Sequence, residues 1–206
     1  MHKFLLSTLL ISTFSFATDA VPKMHCTLSQ EGPVTVNWKA YKTPLKIGVG
    51  GTFDKVIYRP ATKEGKNFKE ILVGAKATIE EISVNSKNKG RDAKLVKFFF
   101  DNMKDDEIIA EIVDIEALSK ERGKPKTGTL LTKITMNGIT KNVPLRYVYD
   151  EGTLHAEGTI DLFDFQASTA LSALNKACFA KHQGKTWNDV SIAFSTHIKA
   201  VCETAK

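Results

Sequence analysis

Residues Thr127 to Leu162 read TGTLLTKITMNGITKNVPLRYVYDEGTLHAEGTIDL. Apolar and polar residues alternate through this stretch, and Asn137-Gly138 and Glu151-Gly152 divide it into three segments. Leu130, Thr132, Ile134 and Met136 share one parity of the first segment, and Val143, Leu145, Tyr147 and Tyr149 share one in the second. Leu154, Ala156, Gly158, Ile160 and Leu162 do so in the third, against His155, Glu157, Thr159 and Asp161. A period of two puts each set on one face of a sheet. Asn-Gly favours a two-residue hairpin because both of its residues reach positive φ. An antiparallel meander with one apolar face curls and closes, so this stretch predicts a barrel or sandwich.

Working outward, Val34, Val36, Trp38 and Ala40 alternate with polar neighbours in a first strand that Pro44 stops. Gly48-Val49-Gly50-Gly51 has neither the glycine spacing nor the Lys-Ser/Thr of a phosphate loop, and predicts a bend or bulge before a strand from Thr52 to Tyr58. Ile71, Val73, Ala75, Ala77 and Ile79 give another alternating strand, running on towards Val84. From Lys89 to Phe100 the spacing of Leu95, Val96, Phe98 and Phe99 predicts a short helix. Ile108 to Ala117 carries apolar residues on both parities, as a strand with a bulge or one covered on both sides would. Ala167, Ala170, Leu171, Leu174 and Cys178 mark a second helix, with Asp164 as its cap and Gly184 as its end; it is expected to cover one barrel end. Trp187 to Val201 forms the last strand. The expected fold is mostly β, an antiparallel barrel of about eight strands with two short helices.

The chain has 206 residues, 42% of them hydrophobic and 25% charged, which is ample for one domain with a real core. Its first residues follow the order of a secretory signal: basic His2 and Lys3, apolar Phe4 to Phe14, then Ser15-Phe16-Ala17 as a small-x-small cleavage site. Cleavage is expected after Ala17, with Ala20 as the alternative, leaving residues 18–206 as the exported domain in the periplasm or outside the cell. Lys23-Met24-His25 is not the small-residue lead-in of a lipid-modified cysteine, so a soluble rather than membrane-inserted product is expected. The formal charge of +6 is spread over the strands without an arginine cluster, which argues against nucleic acid as a partner.

An exported enzyme is the weaker reading, with a solid-barrel envelope interaction module as a further alternative, and a metal is not expected. His2, His25, His155, His182 and His197 show no ligand spacing, and there is no Gly-x-Ser-x-Gly elbow or Cys-x-x-Cys pair. Glu80-Glu81 and Asp105-Asp106-Glu107 read as solvated turn carboxylates. Arg91 reads as paired with Asp92, or as a contact for an anionic head group.

Three blocks carry a resemblance. Ser83-Val84-Asn85, Lys89-Gly90-Arg91-Asp92, Leu95 and Phe98-Phe99 resemble the strand-to-helix signature of the YceI-like proteins. Gly128-Thr129-Leu130 through Asn137-Gly138-Ile139-Thr140-Lys141-Asn142-Val143 resembles their hairpin. Thr159-Ile160-Asp161 with Asp164-Phe165 is similar to their Asp-Phe ending, with Leu162 where arginine is expected. The resemblance implies a lipocalin-like barrel, exported to the periplasm, holding an isoprenoid, an isoprenoid quinone or a fatty-acyl lipid. No cofactor beyond such a lipid is implied.

The inward parity supplies the expected lining of a cavity. It comprises Val36, Trp38 and Ala40 of the first strand, then Phe53, then Val73, Ala75 and Ala77. The meander adds Leu130, Ile134, Met136, Leu145, Tyr147, Leu154, Ala156 and Ile160, and the last strand Ile192 and Phe194. On the residues alone a hollow barrel and a packed one, with each alanine opposite a large partner, both stay open; the resemblance selects the hollow one. Tyr147 and Tyr149 share a parity from which their hydroxyls would meet a ligand's polar end. Of the three cysteines, Cys26 precedes the first strand and Cys202 ends the last. Those strands are neighbours in a closed up-and-down barrel, so a Cys26–Cys202 bridge is expected, with Cys26–Cys178 and no bridge as alternatives. A homodimer stays open.

Overall fold

A computed structural model describes residues 24–118 and 123–204; the predicted signal segment lies outside them. The chain begins with β1 (Met24–Lys42), β2 (Ile47–Phe53), β3 (Val56–Arg59), the two-residue β4 (Glu64–Gly65), α1 (Phe68–Leu72) and β5 (Lys76–Glu80). β6 (Val84–Asn85), α2 (Lys89–Phe98) and β7 (Glu107–Ala117) lead into the meander β8 (Lys126–Met136), β9 (Ile139–Asp150) and β10 (Thr153–Asp161). Two helices, α3 (Ser168–Ala177) and α4 (Phe179–His182), precede the last strand, β11 (Thr186–Thr204).

The strands form one curled antiparallel half-barrel sheet in the order β3-β5-β7-β8-β9-β10-β11-β1-β2-β6, with β4 against the start of β1. The ends of this ladder are linked by chain: β2 runs into β3 through Asp54 and Lys55, and β5 into β6 through residues 81–83. The two breaks lie side by side. Asp54 N–H donates to the Ser83 carbonyl at 2.9 Å, and Glu80 N–H to the Lys55 carbonyl at 3.2 Å. With each broken pair taken as one bent strand and β4 set aside, the eleven strands reduce to the expected eight.

The meander matches its sequence pattern. Asn137, Gly138, Glu151 and Gly152 all have positive φ (53°, 73°, 45° and 81°), the geometry that aligns a two-residue turn with twisted strands. β7 slips register between Ile112 and Asp114, so its parity changes partway. The first and last strands pair along almost their whole length, and Cys26 faces Cys202 and is bridged to it; Cys178 is buried and free.

Several sequence expectations give way. The strand predicted from Ile71 to Ile79 begins only at Lys76, and its first part is α1. Asn67 caps that helix, its Oδ1 accepting from Glu70 N–H at 3.0 Å, while Glu70 Oε2 accepts from Lys66 N–H at 2.7 Å. This reciprocal cap outweighs the alternation. Val73 is therefore the residue after a helix, half-buried against the core, and Gly74 (φ 95°) turns the chain towards β5. The Gly48–Gly51 segment is regular β2 strand, with neither bend nor bulge. Asp164 does not cap α3: Ala167 stands at that position, and Asp161 instead accepts from Phe163 N–H at 2.8 Å to start the 162–165 turn. Glu81 is buried, 1% exposed, with one carboxylate oxygen lacking a hydrogen-bond partner. Its pKa is pushed up to about 8, by burial first and then by Asp105 and Asp106.

Candidate functional site: a three-part cavity inside the sheet

The concave face of the sheet encloses three spaces that share walls. The outer one, about 360 Å³, opens between β1, the start of α2 and the segment from α3 to β11. The middle one, about 110 Å³, lies beneath α2 and α3 and is lined by Leu95, Phe99, Leu171, Leu174 and Val190 among others. The inner one, about 100 Å³, is bounded by β1, β3, β5, β7, β8 and β11. Outer and middle spaces share Trp38, Ala40, Leu95, Leu174 and Thr186. Middle and inner spaces share Trp38, Phe53, Ile108, Met136, Ile160 and Ile192. Trp38 borders all three, its indole N–H fixed to the Thr52 carbonyl at 3.2 Å.

The hollow follows from side-chain size. Tyr58, Ala77, Ala110 and Ile134 lie in one register row across β3, β5, β7 and β8. Two adjacent alanines between large residues leave volume that nothing else in the row fills. Where small residues face each other across a curl, the wall forfeits dispersion contacts that an apolar occupant restores.

Val36, Trp38, Phe53, Ala75, Ala77, Leu130, Ile134, Met136, Leu145, Ile160, Ile192 and Phe194 line the inner space, and Ala40 the outer two. Tyr147, Leu154 and Ala156 are fully buried but border none of the three, as is true of half-buried Val73. Tyr147 packs its ring on Phe68, and Tyr149 donates its hydroxyl to the Ile198 carbonyl at 3.2 Å, so neither is turned to the cavity.

Eight residues of the inner wall lie outside the predicted set, Tyr58 and Thr132 among them. An unbroken strand from Phe53 would turn Tyr58 outward; the break at Asp54–Lys55 shifts the parity, leaving Ile57 exposed and Tyr58 facing Ala77 and the interior. Thr132 has the inward parity of Leu130 and Ile134, but its hydroxyl disguises a cavity position. Both hydroxyls are buried without a hydrogen-bond partner. Burial raises the Tyr58 pKa to about 12, so this phenol stays protonated.

The mouth is basic. Lys42, Arg91, Lys94 and Lys181 line it, and none is in the ion pairs found among the described residues. Arg91 is not paired with Asp92. Its guanidinium donates to Ser86 Oγ at 2.7 Å and to the Ser86 carbonyl at 2.8 Å, while Asp92 accepts from Ser86 N–H at 2.9 Å. His182 is held below the usual imidazole range by burial and then by Lys42 and Lys94. Thr186 donates its hydroxyl to Asn175 Oδ1 at 2.9 Å, so the 2.6 Å contact with His182 is a donation from the His182 Nδ1–H.

An apolar chamber inside a curled antiparallel sheet, with a basic opening beside it, is the architecture of a lipocalin-like barrel. The family model of the YceI-like domain matches residues 16–198, and the chain belongs to that family. Among solved structures it is similar to a polyisoprenoid binding domain from Saccharophagus degradans implicated in plant cell wall breakdown. That match has a TM-score of 0.56 and 13% identity, covering 87% of this chain and 100% of that one. It is similar also to BcnA of Burkholderia cenocepacia, with a TM-score of 0.54 and 16% identity, covering 81% and 96% of the two chains. No curated protein matches the chain. Among the described residues, no helix is long and apolar enough to cross a membrane.

Proposed function

We propose that the protein is exported and binds or carries an amphiphilic lipid, an isoprenoid, quinone or fatty-acyl derivative, without covalent chemistry. The observation that carries this reading is the row of three adjoining spaces inside one sheet, a basic mouth beside two apolar chambers with shared wall residues. A prenyl or acyl chain housed in the apolar chambers gains roughly 0.8 kcal/mol per buried methylene before ordering costs. The family, and the likeness to the polyisoprenoid binding domain of Saccharophagus degradans, support the same class of ligand. Export is supported by the signal-like first residues and by the Cys26–Cys202 bridge, a bond that persists in oxidising compartments.

The lysines at the mouth give this reading a delivery route. A cluster of cations without carboxylate partners is drawn to anionic head groups at a bilayer surface, where such lipids reside. The deciding experiment is organic extraction of the purified protein followed by mass spectrometry. Recovery of a prenyl or acyl compound in near-stoichiometric amount is expected; an extract free of apolar small molecules would sink the proposal.

A further inference from the structure

Resting on that reading, we infer that the mouth end of the barrel docks on an anionic bilayer, with Leu45 and Phe179 inserted beneath the head groups and lysines around them on the lipid phosphates. The two residues belong to segments that frame the outer space. Leu45 sits in the turn after Tyr41 and Lys42, and Phe179 lies between Cys178 and Lys181; all four of these neighbours line that space. The segments are tied to each other. Thr43 N–H donates to the Lys185 carbonyl at 2.9 Å, and the Trp187 indole N–H donates to the Thr43 carbonyl at 2.8 Å. Leu45 is 82% exposed and Phe179 63%. A single exposed apolar side chain means little, but two on one rim beside a cavity, in a field of one sign, mark a surface that is covered in use.

The sign of that field is read from the sequence. No Asp or Glu occurs between Glu31 and Asp54, where Lys39, Lys42 and Lys46 lie. None occurs between Asp164 and Asp189, where Lys176, Lys181 and Lys185 lie. Leu45 and Phe179 each fall inside one of these stretches. Lys46 is paired with Asp189 at 2.7 Å, whereas Lys42, Lys181 and Lys185 are in none of the ion pairs found among the described residues. Between the segments, the centroid of the Trp187 ring is 4.6 Å from Lys185 Nζ and 5.0 Å from Lys46 Nζ. This composition fits a bilayer rather than a protein partner. Lysine is depleted from protein interfaces. At a membrane surface its ammonium stays with the phosphates while indoles and apolar side chains settle below. In that pose the outer space faces lipid.

The test is flotation of the purified protein with vesicles of phosphatidylcholine alone or mixed with phosphatidylglycerol. The wild type should bind the anionic vesicles about 10-fold more tightly, and added salt should weaken this binding. Leu45→Ser with Phe179→Ser should reduce binding to anionic vesicles about 10-fold or more. The same variant should keep its melting temperature and its affinity for a short prenyl probe in solution, since both side chains lie outside the core. Leu45→Trp should add fluorescence that brominated acyl chains quench on docking. Undiminished vesicle binding by the double variant, equal binding to neutral vesicles, or no added quenching would overturn the inference. A dimer formed through this face in place of docking, and dispersed in the double variant, would overturn it too. The soluble probe reads the proposed function separately, so loss of that reading and loss of docking are distinct results.

Discussion

Gly51 lies directly opposite Trp38 in the ladder between β2 and β1, and the indole occupies the space that a side chain at Gly51 would need. A methyl there would approach Trp38 Cζ2 to 2.8 Å and crowd the Asn85 carbonyl. The glycine is a matter of clearance, because Trp38 forms a wall of all three spaces. Gly51→Ala should destabilise the protein by about 1–3 kcal/mol, although alanine is ordinarily the better strand residue. Chemical denaturation with intrinsic fluorescence checks this, and a shifted native emission maximum should accompany the loss.

Leu171 and Leu174 of α3 line the middle space, so the helix roofs the space that lies between mouth and inner chamber. Leu174→Ala should accelerate release of a bound prenyl probe several-fold, with a stability loss of about 2–4 kcal/mol. Stopped-flow displacement gives the rate. An unchanged rate beside the expected stability loss would restrict α3 to a packing role.

The lysines of the mouth should govern uptake more than retention. Lys94→Glu with Lys181→Glu is expected to slow lipid transfer from anionic vesicles about tenfold at low salt, and to leave transfer from neutral vesicles nearly unchanged. For the wild type, raising ionic strength should reproduce the slow transfer.

Glu81 makes stability depend on pH. Its folded pKa is raised from 4.5 to about 8, so its favourable contribution is complete below pH 4.5 and is lost as pH rises to about 8. In that window stability should fall by up to about 1.4 kcal/mol per pH unit, because the unfolded carboxyl ionises first. Glu81→Gln should flatten this slope and raise stability at neutral pH. Denaturant titrations at pH 5, 6, 7 and 8 would show it, and parallel curves for the two proteins would contradict the assignment.

The sequence revealed the fold through its long, regular strands. In the meander, parity, turn residues and pairing agree at every step, and the neighbouring positions of first and last strand follow from closing such a sheet. Short elements were harder to read. Ile71 and Val73 share the parity of Ala75, Ala77 and Ile79 as in a strand, yet the Asn67–Glu70 cap and the full burial of adjacent Ile71 and Leu72 make a helical turn. The lining was legible where strands are unbroken and was lost at Tyr58, because a two-residue break reverses which parity points inward. Tyr147, Leu154 and Ala156 have the right parity but lie beyond the hollow, where the rows fill with larger partners. Periodicity identifies a face; it does not say how far along that face an empty volume extends.

The first and last strands sit side by side in the middle of the sheet, and the ends of the sheet are the strands around Asp54 and Ser83. With Cys26 joined to Cys202 across 176 residues, nearly the whole domain is a covalent ring. A protease that nicks it once, for instance after Gly123, yields one molecule of unchanged mass apart from an added water. Two fragments separate only after reduction. Peeling of the first strand from the last is likewise restrained, so loosening of the native sheet starts inside the loop that the bridge closes.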